Sequence, residues 1–133
     1  MSKAPLDEMI QYRLEQANET VKEAAALFEM SFWRGTINRS YYAMFYSVLA
    51  LAVLRQQITS KHSGVIAFFD GEFVKTGVFS KELSQAFHLA FERRQTTDFG
   101  GIFTVSEEEA SQALQEARTF VATVENFLRT TTD

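Results

Sequence analysis

Apolar residues recur with helical spacing along nearly the whole chain. Leu6, Met9, Ile10, Leu14, Ala17, Val21, Ala24 and Phe28 form one stripe, which predicts a first amphipathic helix. Ser31 to Arg34, with Gly35 beside it, reads as the turn that follows. A second helix is expected to run to about Gln57. It carries two adjacent stripes, Ile37, Tyr41, Met44, Val48 and Leu51 on one and Tyr42, Tyr46, Leu49 and Val53 on the other. Two stripes bury most of a helix's circumference, so this one is expected to be central. Ala43, Ser47 and Ala50 add a strip of small side chains that would admit a close neighbour.

Lys61-His62-Ser63-Gly64 opens a third, shorter helix through Val65, Ile66, Phe69 and Phe73, weakened and ended by Gly71 and Gly77. Ser80 is a natural N-cap for a fourth, whose inward stripe is Leu83, Phe87 and Ala90. Phe99-Gly100-Gly101 ends the next connection. Ser106-Glu107-Glu108-Glu109 is a capping box with acidic residues at the positive end of the helix dipole. Ala110, Ala113, Leu114, Ala117, Val121, Val124 and Leu128 then give the cleanest periodicity in the chain, and Thr130 to Asp133 reads as a frayed end. Five helices with short connections predict an all-α, antiparallel up-and-down bundle, one domain over residues 1–133.

Composition narrows the chemistry. A single proline leaves few breakers, and the absence of cysteine removes disulfides and thiol catalysis. The longest apolar stretch, Tyr41 to Leu54, is well short of the roughly 20 residues that span a bilayer, and no signal-peptide h-region is visible. A cytoplasmic protein without a membrane segment is expected. The net charge of −4 argues against whole-surface attraction to nucleic acid. It still allows a local basic site, since Arg93 and Arg94 are adjacent and Arg34, Arg39 and Arg55 share a segment.

The run Asn38-Arg39-Ser40-Tyr41-Tyr42-Ala43-Met44-Phe45-Tyr46 places tyrosines and an arginine where a bundle helix would use leucine and alanine. With Lys61-His62-Ser63-Gly64-Val65, Phe73-Val74-Lys75-x-Gly77, Arg94-x-x-x-Asp98-Phe99 and the helix from Glu109-Ala110 to Phe120, the chain resembles the HEPN (higher eukaryotes and prokaryotes nucleotide-binding) domain family. The resemblance is to its small stand-alone prokaryotic members and covers roughly residues 10 to 128. It implies a helical bundle, a homodimer, binding of nucleotide or RNA, and a toxin role beside a nucleotidyltransferase-like partner. Ribonuclease members carry an arginine, a polar residue and, after about four to six residues, a histidine. Here Arg94 is followed by Gln95, but Phe99, Gly100 and Gly101 stand where the histidine would be.

Arg94 is the leading candidate site residue. It continues the stripe Leu83, Phe87, Ala90 at a point where an apolar side chain belongs, while Arg93 is expected to point toward solvent. An inward arginine needs a partner, and Asp98 lies one turn on, with Asn38 or a tyrosine hydroxyl in support. The plainer reading is an Arg94–Asp98 pair that staples the helix end; the functional one is a guanidinium offered to phosphate. His62 opens the third helix, where backbone N–H groups and an imidazole could hold an anion or move a proton. Its plainer role is a hydrogen bond across a helix junction. Arg55 and His62 match the ribonuclease spacing by number, a match that chance produces readily.

Arg39 with Tyr41, Tyr42 and Tyr46 could stack bases, although such aromatics are more often core or dimer interface. His88 and Glu92, one turn apart, are a very weak metal signal. No metal and no cofactor are expected. The leading expectation is a self-associating module that binds a nucleotide, RNA or a nucleotidyltransferase-like partner through Arg94, Asp98, Arg39, His62, Asn38 and Tyr42. A metal-independent ribonuclease toxin using Arg94 and His62 is the alternative, and a non-catalytic structural dimer the third.

Overall fold

The computed structural model describes residues 3–57, 61–99 and 104–132. Its elements are α1 (Lys3–Glu29), α2 (Trp33–Leu54), α3 (His62–Phe69) continued by a π-helical turn (Asp70–Val74), α4 (Lys81–Phe99) and α5 (Glu107–Thr132). The described residues contain no strand, and the fold is the all-α bundle that the periodicity predicts. α5 continues to Thr132.

α2 packs against all four other helices. Its buried residues run from Thr36 and Ile37 to Leu51 and Ala52 and leave little of it in contact with water. The small strip works as anticipated at Ala43. That residue meets Ala17 of α1 and Val121 of α5 in one buried cluster, where the lack of bulk lets three helices come together. Ser47 satisfies its buried hydroxyl on the Met44 carbonyl at 2.7 Å. Below this level the core is aromatic. Phe69, Phe87 and Phe120 bring their ring centroids within 5.3 to 5.6 Å of one another, close enough for favourable ring contacts.

Helix ends follow local chemistry. Ser31 adopts a left-handed conformation (φ 63°) and ends α1, while the Phe32 N–H reaches the Leu27 carbonyl at 2.9 Å. The turn is therefore Met30–Phe32, shorter than Ser31–Arg34, and Gly35 lies inside α2. Its role is close approach, since a Cβ there would sit 3.1 Å from Leu27 Cδ1. α2 stops at Leu54, short of Gln57, because Gln56 turns left-handed (φ 54°). Ser80 caps α4 through the Leu83 N–H at 3.1 Å. Ser106 and Glu109 form the reciprocal capping box on α5.

One boundary differs from expectation. Gly71 does not weaken the third helix to its end; the helix widens into a π turn through it, with Lys75 N–H donating to the Asp70 carbonyl at 2.8 Å. The widened turn buries Phe73 completely beside Phe69. The real stop is Gly77, which takes the positive φ (84°) that a side chain would resist. Phe99-Gly100-Gly101 lies largely outside the described residues.

Candidate functional site

Asn38, Arg39, Tyr41 and Tyr42 come from α2, His62 from the first turn of α3, and Phe91, Arg94 and Asp98 from the C-terminal half of α4. They converge because Tyr41 and Tyr42 sit on the adjoining stripes of the central helix, one facing the core and the other its edge. Tyr41 is fully buried, and its ring lies 6.0 Å from Phe87 and 5.8 Å from Phe91. Its hydroxyl sits 2.6 Å from Nδ1 of His62.

That contact assigns protons. Burial pushes the Tyr41 phenol well above its usual pKa, with the nearby Arg94 charge opposing and Tyr42 adding. His62 is held below its ordinary value, first by burial and second by the positive charge of Arg94. At neutral pH a protonated phenol therefore faces a neutral imidazole. A buried hydroxyl needs an acceptor, so Tyr41 donates to Nδ1 and the imidazole proton sits on Nε2. The His62 ring is enclosed by Phe45 at 4.7 Å, Tyr41 at 5.6 Å and Tyr42 at 5.8 Å. His62 is a fixed N–H donor here.

Arg94 turns inward as its stripe requires, with 13% of its side chain exposed. Its two hydrogen bonds both leave from Nη1, to the Tyr42 hydroxyl at 3.3 Å and to Asp98 Oδ2 at 3.4 Å. Both are long for N–H···O contacts. Nε is buried and has no partner. The guanidinium carbon lies 5.4 Å from the Tyr41 ring and 5.8 Å from those of Tyr42 and Phe91, so aromatic faces supply part of what the acceptors do not.

Asn38 does not reach Arg94. Its Oδ1 accepts from Nε and Nη2 of Arg39 at 3.1 and 3.0 Å. Arg39 also pairs loosely with Glu23 at 3.6 Å and lies 5.0 Å from the Tyr42 ring. Tyr42 is thus flanked by two guanidinium groups and the His62 ring, and the other two candidates, Asn38 and Asp98, join through Arg39 and Arg94. Tyr41 and Phe91 complete the cluster. Tyr41 figured only as a possible stacking residue, and Phe91 is off the stripe that singled out Arg94.

Arg93 requires a correction. It does not point to solvent but keeps 15% of its side chain exposed and pairs with Glu116 of α5 at 2.8 Å. Rotation away from the Arg94 face turns it toward the neighbouring helix. Arg55 lies 4.9 Å from the Phe73 ring at the end of α2, and no contact joins it to His62. His88 bonds through Nε2 to Asp70 at 2.6 Å, and the described residues hold no group of three acidic, histidine or cysteine ligands. No helix of the structure is long and apolar enough to cross a membrane. Chemically, the cluster offers a poorly compensated cation and a neutral N–H donor within an aromatic frame. That combination suits an anion with several oxygens better than proton abstraction by His62.

Comparison with known proteins agrees with the resemblance. The chain is 36% identical over 122 residues to the "UPF0332 protein" of Thermotoga maritima, covering 92% of each. It is 31% identical over 115 residues to "Putative toxin MJ0142" of Methanocaldococcus jannaschii, covering 86% of this chain and 78% of that one. "Putative toxin MJ0605" of the same organism is 32% identical over 126 residues, covering 92% and 90%. The HEPN domain model matches residues 10–127, nearly the whole helical bundle, and the chain belongs to the HEPN domain family.

Proposed function

We propose that this chain is a self-associating HEPN module, one domain over residues 1–133, whose Arg94 site holds a phosphate of a nucleotide or RNA without strong catalysis. Toxin-named relatives support a protein partner, and a nucleotidyltransferase-like protein is the one proposed. The observation that carries the reading is the state of Arg94. A charge this far from water is costly unless well paired, yet Nε is unpartnered and both bonds from Nη1 are long. A phosphate oxygen would give the guanidinium the strong acceptor that its two long bonds do not supply. His62 Nε2–H and the positive charge of Arg39 support the same anion, and Tyr42 supplies an aromatic face between the two arginines.

Fluorescence anisotropy with a labelled short single-stranded RNA tests this. Arg94→Gln should weaken binding by about tenfold or more, the scale of one lost charge-assisted contact. Unchanged affinity in a folded Arg94→Gln protein would overturn the reading.

The second reading is a metal-independent ribonuclease toxin. It is favoured by the toxin names and by the grouping of Arg94 with His62. Arg94 would stabilise the pentavalent phosphate, and His62 would have to be protonated first, to imidazolium, before it could give a proton to the leaving oxygen. The Tyr41 bond occupies Nδ1 and leaves His62 without the basic atom that the other half of the reaction needs, so this reading ranks second. Cleavage of the same RNA in the presence of a chelator, lost in Arg94→Gln, would reverse the order.

A further inference from the structure

We infer that the groove between α3 and α4 is a subsite for a nucleobase with an amino edge, placed so that its phosphate reaches Arg94. The inference rests on the phosphate reading above and adds which bases are accepted and which residues accept them. The groove has a volume of about 500 Å³, and Ser63, Ile66, His88, Phe91, Glu92 and Gln95 are among the residues lining it. Volumes of roughly 300–1,000 Å³ are usual for small-molecule sites. It adjoins the Arg94 cluster directly. Ser63 follows His62, Gln95 follows Arg94, and the Phe91 ring stands 5.8 Å from the Arg94 guanidinium carbon and 6.2 Å from the His62 ring.

The polar wall of the groove is built rather than incidental. Asp70, the first residue of the π turn, uses both carboxylate oxygens to tie α3 to α4. Oδ1 accepts from the Ser84 hydroxyl at 2.7 Å, and Oδ2 pairs with His88 Nε2 at 2.6 Å. The Asp70 bond fixes the His88 ring beside the groove. Glu92, one turn on from His88, presents a carboxylate acceptor, since its backbone carbonyl takes the Thr96 hydroxyl and no described side chain pairs with its carboxylate. Ile66 and Phe91 supply apolar surface on which a base can lie.

A carboxylate acceptor beside a flat apolar surface selects for N–H edges. Guanine offers N1–H and its amino group to a carboxylate, while adenine and cytosine offer their amino groups. Uracil has no amino group, and its single N3–H is flanked by two carbonyl oxygens that a carboxylate repels. Asp70 and Glu92 also repel phosphate from this end of the groove, and Arg94 attracts it at the other, so the ligand has one orientation. Asp70 is a positioning residue that acts through His88.

Calorimetric titration with inorganic phosphate, AMP, GMP, CMP and UMP tests the inference. GMP, AMP and CMP should bind about tenfold more tightly than inorganic phosphate or UMP. Glu92→Ala, on an exposed helix face, should remove that gain without weakening phosphate binding. Asp70→Asn should reduce the gain partly, and His88→Gln should do the same. If phosphate binds through Arg94 but all four nucleotides bind no better, or if the preference survives in a Glu92→Ala/His88→Gln protein, the base subsite is wrong and the phosphate reading stands. If neither phosphate nor any nucleotide binds the folded wild type, both are wrong.

Discussion

The Tyr41 phenol and Nδ1 of His62 stand 2.6 Å apart, joining the buried centre of α2 to the first residue of α3. The bond holds His62 in one tautomer and one orientation beside Arg94. It makes a residue with no solvent exposure, Tyr41, the support of the His62 ring.

Tyr41→Phe should keep the fold and the ring contacts while stripping His62 of its donor. The expected cost is about 1–2 kcal/mol, the range for a buried bond lost with one partner left unsatisfied. Urea denaturation of the variant against wild type measures it. No loss of stability would mean that the 2.6 Å contact carries no net energy.

Stability should depend on pH through His62. Its pKa is lowered in the fold by burial and by Arg94, whereas the unfolded chain titrates near the ordinary value of about 6.5. Above that pH neither state takes the proton, and the contribution is complete. As pH falls below it the unfolded chain is protonated first, so stability declines until the lower folded pKa is passed. The urea midpoint should therefore begin to drop below about pH 7.5 and go on falling until the lower folded pKa is passed. The drop should shrink in His62→Gln. Glu125, the carboxylate held low by Asn18 and Arg129, loses its contribution only at more acidic pH and does not confuse this window.

Ala43→Leu should cost at least about 1–3 kcal/mol through overpacking, because Ala43 meets Ala17 and Val121 with no exposed surface. Thermal denaturation reports it directly. An unchanged midpoint would mean that α1 and α5 can move apart freely at this level.

Arg94 should contribute little to folding. Arg94→Met keeps most of the volume and removes a charge whose bonds are long and whose Nε is unpartnered. Its stability is expected within about 1 kcal/mol of wild type, or above it. Asp98→Ala should cost less than about 0.5 kcal/mol, since the pair is 3.4 Å apart and a third of the Asp98 side chain is exposed. A loss of several kcal/mol in Arg94→Met would return Arg94 to a structural role.

What could be read from the sequence was local. The α5 capping box, the Ser80 cap and the inward turn of Arg94 depend on residues within a turn of one another, and each is where periodicity placed it. The Arg94–Asp98 pair was legible for the same reason. Arg93–Glu116 was not, because its partners lie 23 residues apart on different helices. Tyr41–His62, 21 residues apart across a connection, was equally hidden, as was the Asp70–Ser84–His88 tie. The π turn escaped because a glycine at position 71 reads as a breaker, and nothing local signals that the helix will widen instead.

The most direct test of the phosphate site observes the orphaned donor itself. Side-chain N–H NMR of the protein labelled with ¹⁵N, titrated with inorganic phosphate near neutral pH, follows Arg94 Nε and His62 Nε2, assigned with Arg94→Gln and His62→Gln. Both resonances should move saturably as phosphate is added, and the His62 shift should be lost in Arg94→Gln. If both stay fixed in a folded protein at saturating phosphate, Arg94 does not hold an anion, and the phosphate site does not exist.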